Sequence, residues 1–172
     1  MKIGSIYEDE KIEKRVSITP DIAKKYIQLG LEVQVSDKYG EHLGFKKSDY
    51  IDQGVKLIDN YKELVESSDI LIQLGLIDDE KLSYLKANQT YIGVLNPYEN
   101  KNKLSELTKK KINLFSLELL PRITRAQSMD ILSSQANLAG YKAVVEAFAN
   151  FKKAIPMMMT AAGTIPAAKI LV

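Results

Sequence analysis

Apolar and polar positions alternate along the first 116 residues with two periods, one typical of strands and one of helices. Short apolar or alternating runs end at Gly, Pro, Asn or Asp, residues that favour turns. These runs predict strands over Lys2–Ile6, Leu31–Val35, Val55–Ile58, Asp69–Leu74, Tyr91–Leu95 and Ile112–Leu117. Strands separated by helical segments of this length are typical of a parallel α/β sheet.

The segments between the predicted strands carry apolar residues on one face, at helical spacing. Thr19-Pro20-Asp21 is a strong helix start, because Thr caps, Pro suits the first helical position and an acid suits the first turn. Gly30 is placed to end that helix in the left-handed conformation. Further helices are predicted over Lys47–Gln53, Tyr61–Glu66, Asp78–Lys86 and Leu104–Lys111.

The pattern changes after Leu117. Glu118–Arg125 has the composition of a loop, and apolar residues then recur at intervals of three and four from about Ala126 to Asn150. This spacing predicts one long helix with alanines along its packing side. A segment rich in Gly, Pro and Ala follows, and Lys169–Val172 has the composition of an opening strand.

Together these elements predict an α/β fold. We expect a doubly wound, Rossmann-like (flavodoxin-like), mostly parallel sheet followed by a long C-terminal crossover helix. Residues 1–125 are expected to form an N-terminal α/β domain, and residues 126–150 a connecting helix. Residues 151–172 are expected to be a linker and the first strand of a second domain.

Composition excludes several kinds of chemistry. The 172 residues are 45% hydrophobic and 27% charged, as in soluble globular proteins, and a net charge of +2 predicts no nucleic-acid partner. There is no cysteine and one histidine, His42, so no metal site is expected and a Ser-His-Asp triad is disfavoured. The charge-free stretch Ala154–Ala168 is too short and too broken by Pro and Gly to span a bilayer. With no signal peptide, the chain is expected to be cytoplasmic, without direct membrane insertion.

Only three of the 24 basic residues are arginine, and they lie in two places that carry other signals. Arg15 precedes the helix start at Thr19, where a guanidinium and a helix N-terminus can together hold a small anion. The residues alone leave equally open a surface ion pair of Arg15 with Glu13 or Glu118. Neither a G-x-G-x-x-G nor a G-x-x-x-x-G-K-[ST] turn occurs to bind a phosphate.

The second place, around the other two arginines, crowds amide, carboxylate, hydroxyl and guanidinium groups into a loop and the first helical turns. Gln127, Asp130 and Ser134 are spaced to share a helix face, with Ser133 beside them. Such a set can read the carboxamide of a nicotinamide ring, which has both a donor and an acceptor. A capping box of Thr124 and Gln127 would explain Gln127 as helix chemistry alone, but not the density of polar residues.

Four motifs of the chain carry a family resemblance: Met1–Gly4, Lys14–Pro20, Pro121–Ala143 and Met157–Thr164. They resemble the proton-translocating NAD(P) transhydrogenases, specifically the start of domain I, the NAD(H)-binding component of the alpha subunit. The resemblance covers the whole chain. The wider superfamily includes alanine dehydrogenase, which shares the Arg-Val-x-x-x-Pro opening.

The resemblance implies that the segment from Arg122 reaches over the nicotinamide of NAD(H) and holds it against NADP(H) of a separate domain for direct hydride transfer. Arg122, Gln127 and Asp130 are then expected to act in catalysis by positioning the rings. Ser133 is expected to bond the carboxamide, and Tyr141 to lie behind these residues or to pack. The full set implied to contact the cofactor is Arg122, Ile123, Thr124, Gln127, Ser128, Met129, Asp130, Ser133 and Tyr141.

The resemblance also implies partners. These are the NADP(H)-binding domain, the membrane-spanning subunits and a second copy in a homodimer, at the inner face of the cytoplasmic membrane. In the family, the strand corresponding to Lys169–Val172 leads into the glycine-rich turn of an NAD-binding Rossmann domain. Residues 151–172 are therefore expected to include the first strand of a truncated domain, and the isolated chain is expected to be inactive.

Two alternatives remain at this point. Alanine dehydrogenases carry a lysine on the strand that corresponds to Asp69–Leu74 and a catalytic histidine after the one that corresponds to Tyr91–Leu95. This chain has Gln73 and Asn96 there, and neither can transfer the proton that amino-acid oxidation requires, which disfavours an amino-acid dehydrogenase. The other alternative is a non-catalytic binding or interaction module from a split gene.

Overall fold

Thr19 and Pro20 begin the first helix, α1, as the sequence predicts. Thr19 has an extended backbone and its hydroxyl accepts a hydrogen bond from the N–H of Ile22 at 3.4 Å, while Pro20 is the first helical residue. Beyond the last turn Gly30 has a φ of 82°, a left-handed conformation that glycine adopts at little cost. Helix α1 spans Pro20–Gln28, close to the predicted range.

The structure is a computed structural model that describes residues 1–171. The chain comprises two compact units, Met1–Ile123 and Thr124–Val172. Val172, the last residue of the strand predicted at the C-terminus, lies outside the described residues.

In the first unit, strands alternate with helices in the predicted order. The strands are β1 (Lys2–Ser5), β2 (Glu32–Ser36), β3 (Lys56–Ile58), β4 (Ile70–Ile72), β5 (Thr90–Gly93) and β6 (Asn113–Ser116). The helices after α1 are α2 (Lys47–Ile51), α3 (Tyr61–Ser67), α4 (Asp79–Ser83) and α5 (Lys101–Lys109). Each predicted strand is present within a few residues of its predicted bounds.

Strands β1 to β6 form one parallel sheet in the order β3-β2-β1-β4-β5-β6. The prediction of a doubly wound, Rossmann-like parallel sheet is confirmed. The order is that of a Rossmann sheet rather than the flavodoxin-like order, in which β3 would lie beside β1. The direction of winding reverses between β1 and β4, and sheets of this type bind ligands outside the carboxyl ends of the strands at such a switch point.

Two hydrophobic clusters cover the two faces of this sheet. In β4, Leu71 lies in one cluster, whereas Ile70 and Ile72 pack against the other, because side chains alternate between faces along a strand. The helices contribute Leu64, Leu82 and Leu107 to the first cluster, and Ala23 and Tyr50 to the second. Since helices cover both faces, the loops at the strand ends are the places left for a binding site.

The second unit begins with a 3₁₀ helix, Thr124–Met129, and the long helix α6 follows over Ile131–Asn150. The predicted start near Ala126 is therefore too early. Asp130 is the residue that precedes the first turn of α6, and its carboxylate supplies the cap. The C-terminal end at Asn150 is where the sequence predicts it.

An antiparallel hairpin follows α6 and is absent from the sequence prediction. It pairs β7 (Met158–Thr160) with β8 (Gly163–Ile165). Thr160 Oγ1 accepts the N–H of Ala162 at 3.2 Å and donates to the carbonyl of Gly163 at 2.9 Å. Gly163 has a φ of 127°, which favours glycine at this position.

The strand predicted at Lys169–Val172 does not form over its described part, Lys169–Leu171. Ile170 and Leu171 are 64% and 99% exposed. A strand is stabilised by hydrogen bonds to a neighbouring strand, and none of the described strands pairs with this segment. The assignment of residues 126–150 and 151–172 to a connecting helix and a truncated domain stays a prediction.

Candidate functional site

A cleft of about 560 Å³ lies at the carboxyl edge of the sheet in the first unit. It is lined by the segments that follow β1, β4 and β5, so it lies at the switch point between β1 and β4. The charged or hydrogen-bonding side chains along it include Glu8, Arg15, Lys81, Asn96, Asn100 and Lys103. The fold therefore places a cleft where doubly wound sheets bind small molecules.

Gln73, which follows β4, is 1% exposed and has its whole hydrogen-bonding capacity used. Its Oε1 accepts from Ser5 Oγ and from the N–H of Ile6, both at 2.9 Å. Its Nε2 donates to the carbonyl of Ile6 at 3.0 Å and to Glu8 Oε1 at 3.4 Å. Gln73 thus ties the ends of β1 and β4 together and presents no reactive group to the cleft.

Glu8 is the carboxyl group that Gln73 holds at the cleft. Its Oε1 accepts the N–H of Leu74 at 2.6 Å. Burial raises the pKa of the Glu8 carboxyl above its ordinary value, and the backbone N–H groups of Leu74 and Gly75 offset part of that rise. Its environment therefore disfavours the charged form of the carboxyl.

Arg15 forms a two-pronged ion pair with Glu13. Its Nε donates to Glu13 Oε1 at 2.8 Å and its Nη2 donates to Glu13 Oε2 at 2.6 Å. These bonds lower the pKa of Glu13 and raise the pKa of Arg15. The ion pair with Glu13 that the sequence left open is therefore present, and it occupies the fork that would otherwise hold the carboxylate of a small anion.

Asn96 follows β5 and also lines the cleft. It has a left-handed backbone with a φ of 45°, and its N–H donates to Glu118 Oε1 at 2.6 Å. Gln73 and Asn96 therefore occupy the ends of β4 and β5, and neither amide can act as an acid or a base.

The predicted cofactor segment begins in the first unit, at Arg122. Arg122 is exposed, and Ile123 is 56% exposed with its N–H bonded to the carbonyl of Pro121 at 2.9 Å. Both side chains reach the surface, which a contact with a cofactor requires.

In the second unit Asp130 and Ser133 are brought together at the start of α6. Asp130 Oδ1 accepts the N–H of Ser133 at 2.9 Å, and Oδ2 accepts its hydroxyl at 2.7 Å. This is N-cap geometry, which accounts for Asp130 as helix chemistry. Thr124 and Gln127 lie within the preceding 3₁₀ helix, so the expected capping box does not begin α6. The expected helical face of Gln127, Asp130 and Ser134 is wrong for the same reason.

The other residues predicted to contact the cofactor are on the surface of the second unit. Thr124, Gln127 and Ser128 are exposed, Met129 is 52% exposed, and Tyr141 on α6 is 72% exposed. Within the described residues Tyr141 does not have the buried position of a packing tyrosine. Their role in holding a cofactor stays a prediction.

Glu118 is a candidate that the sequence analysis considered only as a partner of Arg15. It lies in a short 3₁₀ turn, Leu117–Leu119, between β6 and Arg122. An acidic residue directly after a strand, at the carboxyl edge, was the available signal. Its contact with Asn96 joins positions 22 residues apart, which no local pattern shows.

The sheet order and the cleft at its switch point define an α/β domain of the Rossmann-like class. The chain belongs to the family described as "Alanine dehydrogenase/PNT, N-terminal domain", whose profile matches residues 4–139.

Among curated proteins, the chain is 41% identical over 176 residues to the first of the separately encoded pieces of the NAD(P) transhydrogenase subunit alpha of Rickettsia prowazekii. It is 38% identical over 177 residues to the protein of the same name from Rhodospirillum rubrum. Both matches cover 100% of this chain and 46% of the relative, so the chain spans about half the length of the curated relatives it matches.

Solved structures agree with this assignment. The transhydrogenase from Sinorhizobium meliloti has a TM-score of 0.90 and 35% identity, over 98% of this chain and 50% of that one. An L-alanine dehydrogenase has a TM-score of 0.64 over 69% of this chain, and at 19% identity this likeness shows the fold alone. Over residues 1–171, no helix has the length and apolar character needed to cross a membrane.

Proposed function

We propose that this chain is part of the NAD(H)-binding component of a transhydrogenase that transfers hydride between NAD(H) and NADP(H), coupled to proton translocation. The observation that carries the proposal is the exposed polar segment from Arg122 to Ser133, in a chain 41% identical to a piece of a transhydrogenase alpha subunit. Hydride passes directly between two nicotinamide rings, so the protein is required to position the rings and needs no acid or base.

The donor set of this segment fits a nicotinamide carboxamide. Gln127 offers an exposed amide with one acceptor and two N–H donors. Ser133 donates its hydroxyl proton to Asp130, which leaves its oxygen lone pairs to accept the carboxamide N–H. Asp130 thereby fixes the rotamer of Ser133, and Arg122 supplies a planar guanidinium. Gln127 is proposed to bridge Arg122 and the cofactor.

The cleft in the first unit supports this proposal against an amino-acid dehydrogenase. Gln73 and Asn96 stand at the ends of β4 and β5, and amides cannot transfer the proton of an amino-acid oxidation. The Arg15 fork is engaged by Glu13, so it is not set to receive a substrate carboxylate.

The partners are proposed as the NADP(H)-binding domain and the membrane-spanning subunits, with a second copy in a homodimer. Apolar side chains of α6 support a covered surface, because Leu138, Val144 and Phe148 are 61%, 51% and 42% exposed. The component is proposed to lie in the cytoplasm, peripheral to the inner face of the cytoplasmic membrane.

The test is hydride exchange between NADH and an NADP⁺ analogue in the full-length subunit assembled with its partner subunits. Gln127→Asn shortens the side chain by one methylene and should slow hydride transfer by about tenfold or more, while NADH affinity changes little. Gln28→Asn, the same substitution at an exposed position of α1, is the matched control.

Two results would contradict the proposal. If the unsubstituted assembly shows no exchange, the chain belongs to a binding module. If Gln127→Asn instead weakens NADH affinity as much as it slows transfer, the segment binds the cofactor but does not set its geometry.

A further inference from the structure

Two buried side-chain oxygens near the end of β6 have no hydrogen-bond partner among residues 1–171: Ser116 Oγ and Glu118 Oε2. Buried polar atoms are nearly always paired in folded proteins, because an unpaired one costs stability. Placing a carboxylate here is therefore a poor choice for stability alone. The position calls for a reason connected with what Glu118 holds.

The other oxygen, Glu118 Oε1, accepts the N–H of Asn96 at 2.6 Å, a short bond strengthened by the charge of the carboxylate. Asn96 is itself fixed from its other side. Its carbonyl accepts the N–H groups of Glu99 at 3.0 Å and Asn100 at 2.9 Å, and Pro97 restricts the chain between them. The bond therefore attaches Glu118 to a rigid point at the carboxyl edge of the sheet.

The chain from Glu118 to Arg122 has little freedom. Glu118 lies in the 3₁₀ turn Leu117–Leu119, which is closed by a hydrogen bond from Leu120 N–H to the carbonyl of Leu117 at 3.2 Å. Pro121 fixes one further backbone angle, and the N–H of Ile123 returns to the Pro121 carbonyl at 2.9 Å. A displacement at Glu118 would therefore be carried to the backbone of Arg122.

We propose that Glu118 is a positioning residue for Arg122: its bond to the Asn96 N–H fixes where the cofactor segment leaves the sheet. This inference rests on the proposed function where it concerns hydride transfer. Glu118 acts through the Arg122 backbone and is not assigned a contact with either cofactor. A shift of about 1 Å in such a group is enough to slow a reaction by about 100-fold.

The first experiment needs no cofactor and uses the 172-residue chain. Trypsin cleaves after Arg122 when the backbone there is mobile, so the initial rate of this cut reports how firmly the segment is held. Glu118→Ala should raise the rate about tenfold. Glu118→Gln should leave it within about threefold, because a Gln carbonyl oxygen still accepts the Asn96 N–H. Glu106→Ala, at an exposed position of α5, is the control and should leave it unchanged.

The second experiment measures single-turnover hydride transfer and NADH affinity in the assembled full-length protein. Glu118→Ala should slow transfer between about 10- and 100-fold with NADH affinity within about twofold, and Glu118→Gln should restore most of the rate. Equal cleavage of Glu118→Ala and the unsubstituted chain overturns the positioning role, whatever the hydride assay gives. Loss of rate, affinity and melting temperature together, without rescue by Glu118→Gln, also overturns it. Absence of transfer in the unsubstituted assembly counts against the proposed function, while the cleavage result still decides the role of Glu118.

Discussion

At the scale of single residues, Gln73 and Glu8 determine what the cleft can do. Gln73 spends both donors and both acceptor positions inside the fold, so it is a structural clamp between β1 and β4. Glu8 is held by that clamp and by the N–H of Leu74, in surroundings that disfavour its charge. The cleft has the position of a binding site, but its buried groups serve the sheet.

The raised pKa of Glu8 predicts a pH-dependent gain in stability for Glu8→Gln. A carboxyl whose pKa is higher in the folded state is fully accommodated below its unfolded pKa, and that contribution is lost as pH rises through the folded pKa. Glu8→Gln removes the charge and keeps an oxygen for Leu74, so the variant should melt at a higher temperature at pH 7. The difference should vanish below about pH 3.5, under the ordinary glutamate pKa of about 4.3.

Thermal melts from pH 3 to pH 8 measure this, with Glu106→Gln at an exposed position as the control. A difference that does not change with pH, or a variant that is less stable at pH 7, would contradict the burial of a charge at Glu8.

At the scale of elements, the start of α6 is set by Asp130. Thr124 and Asp130 can both cap a helix, and the local sequence fits either. The structure uses Asp130, whose carboxylate binds the N–H and the hydroxyl of Ser133, and it puts Thr124–Met129 into a 3₁₀ helix. Asp130 thus has a structural role that any test of its proposed catalytic role must separate.

Two substitutions at Asp130 make that separation. Asp130→Ala removes the cap and should destabilise the first turn of α6 by about 1 kcal/mol, whereas Asp130→Asn still accepts the Ser133 N–H and should cost only a few tenths. Hydrogen exchange of the Ser133 and Ser134 amides in the 172-residue chain measures the effect. Equal exchange in both variants would show that the cap contributes nothing. In the assembled protein, slow hydride transfer by Asp130→Asn would then identify a requirement for the charge.

At the scale of the whole molecule, the chain has a Rossmann strand order without a Rossmann phosphate turn. Its sequence contains no G-x-G-x-x-G motif, and the turn after β1 carries Glu8, an acid. A dinucleotide site relies on glycines and a helix N-terminus to approach the pyrophosphate. The first unit therefore shares the topology of a dinucleotide-binding fold and lacks its anion-binding element.

This contrast predicts that the 172-residue chain binds NADH with a dissociation constant weaker than about 1 mM, because the pyrophosphate has no site on it. Isothermal titration calorimetry measures the affinity directly, and titration with NADPH controls for general nucleotide binding. Micromolar affinity for NADH would show that this chain carries a complete dinucleotide site.

The sequence by itself determined the elements whose signals are local. Thr19-Pro20 and Gly30 mark the ends of α1, and short apolar runs mark the six strands, because capping and side-chain alternation depend on neighbours in the chain. The crowding of polar groups near Arg122 was equally visible. The role of those groups toward a cofactor stays a prediction.

Only the tertiary structure decided which distant residues meet. The strand order brings Gln73 to Ser5, and β5 beside β6 brings Asn96 to Glu118, through hydrogen bonds between residues 68 and 22 positions apart. The hairpin around Ala162 escaped prediction because its turn has no Asn-Gly signal, and the strand at Lys169 needs a neighbour that the described residues do not supply. Local pattern sets what a segment can become, and pairing across the fold sets which groups face each other.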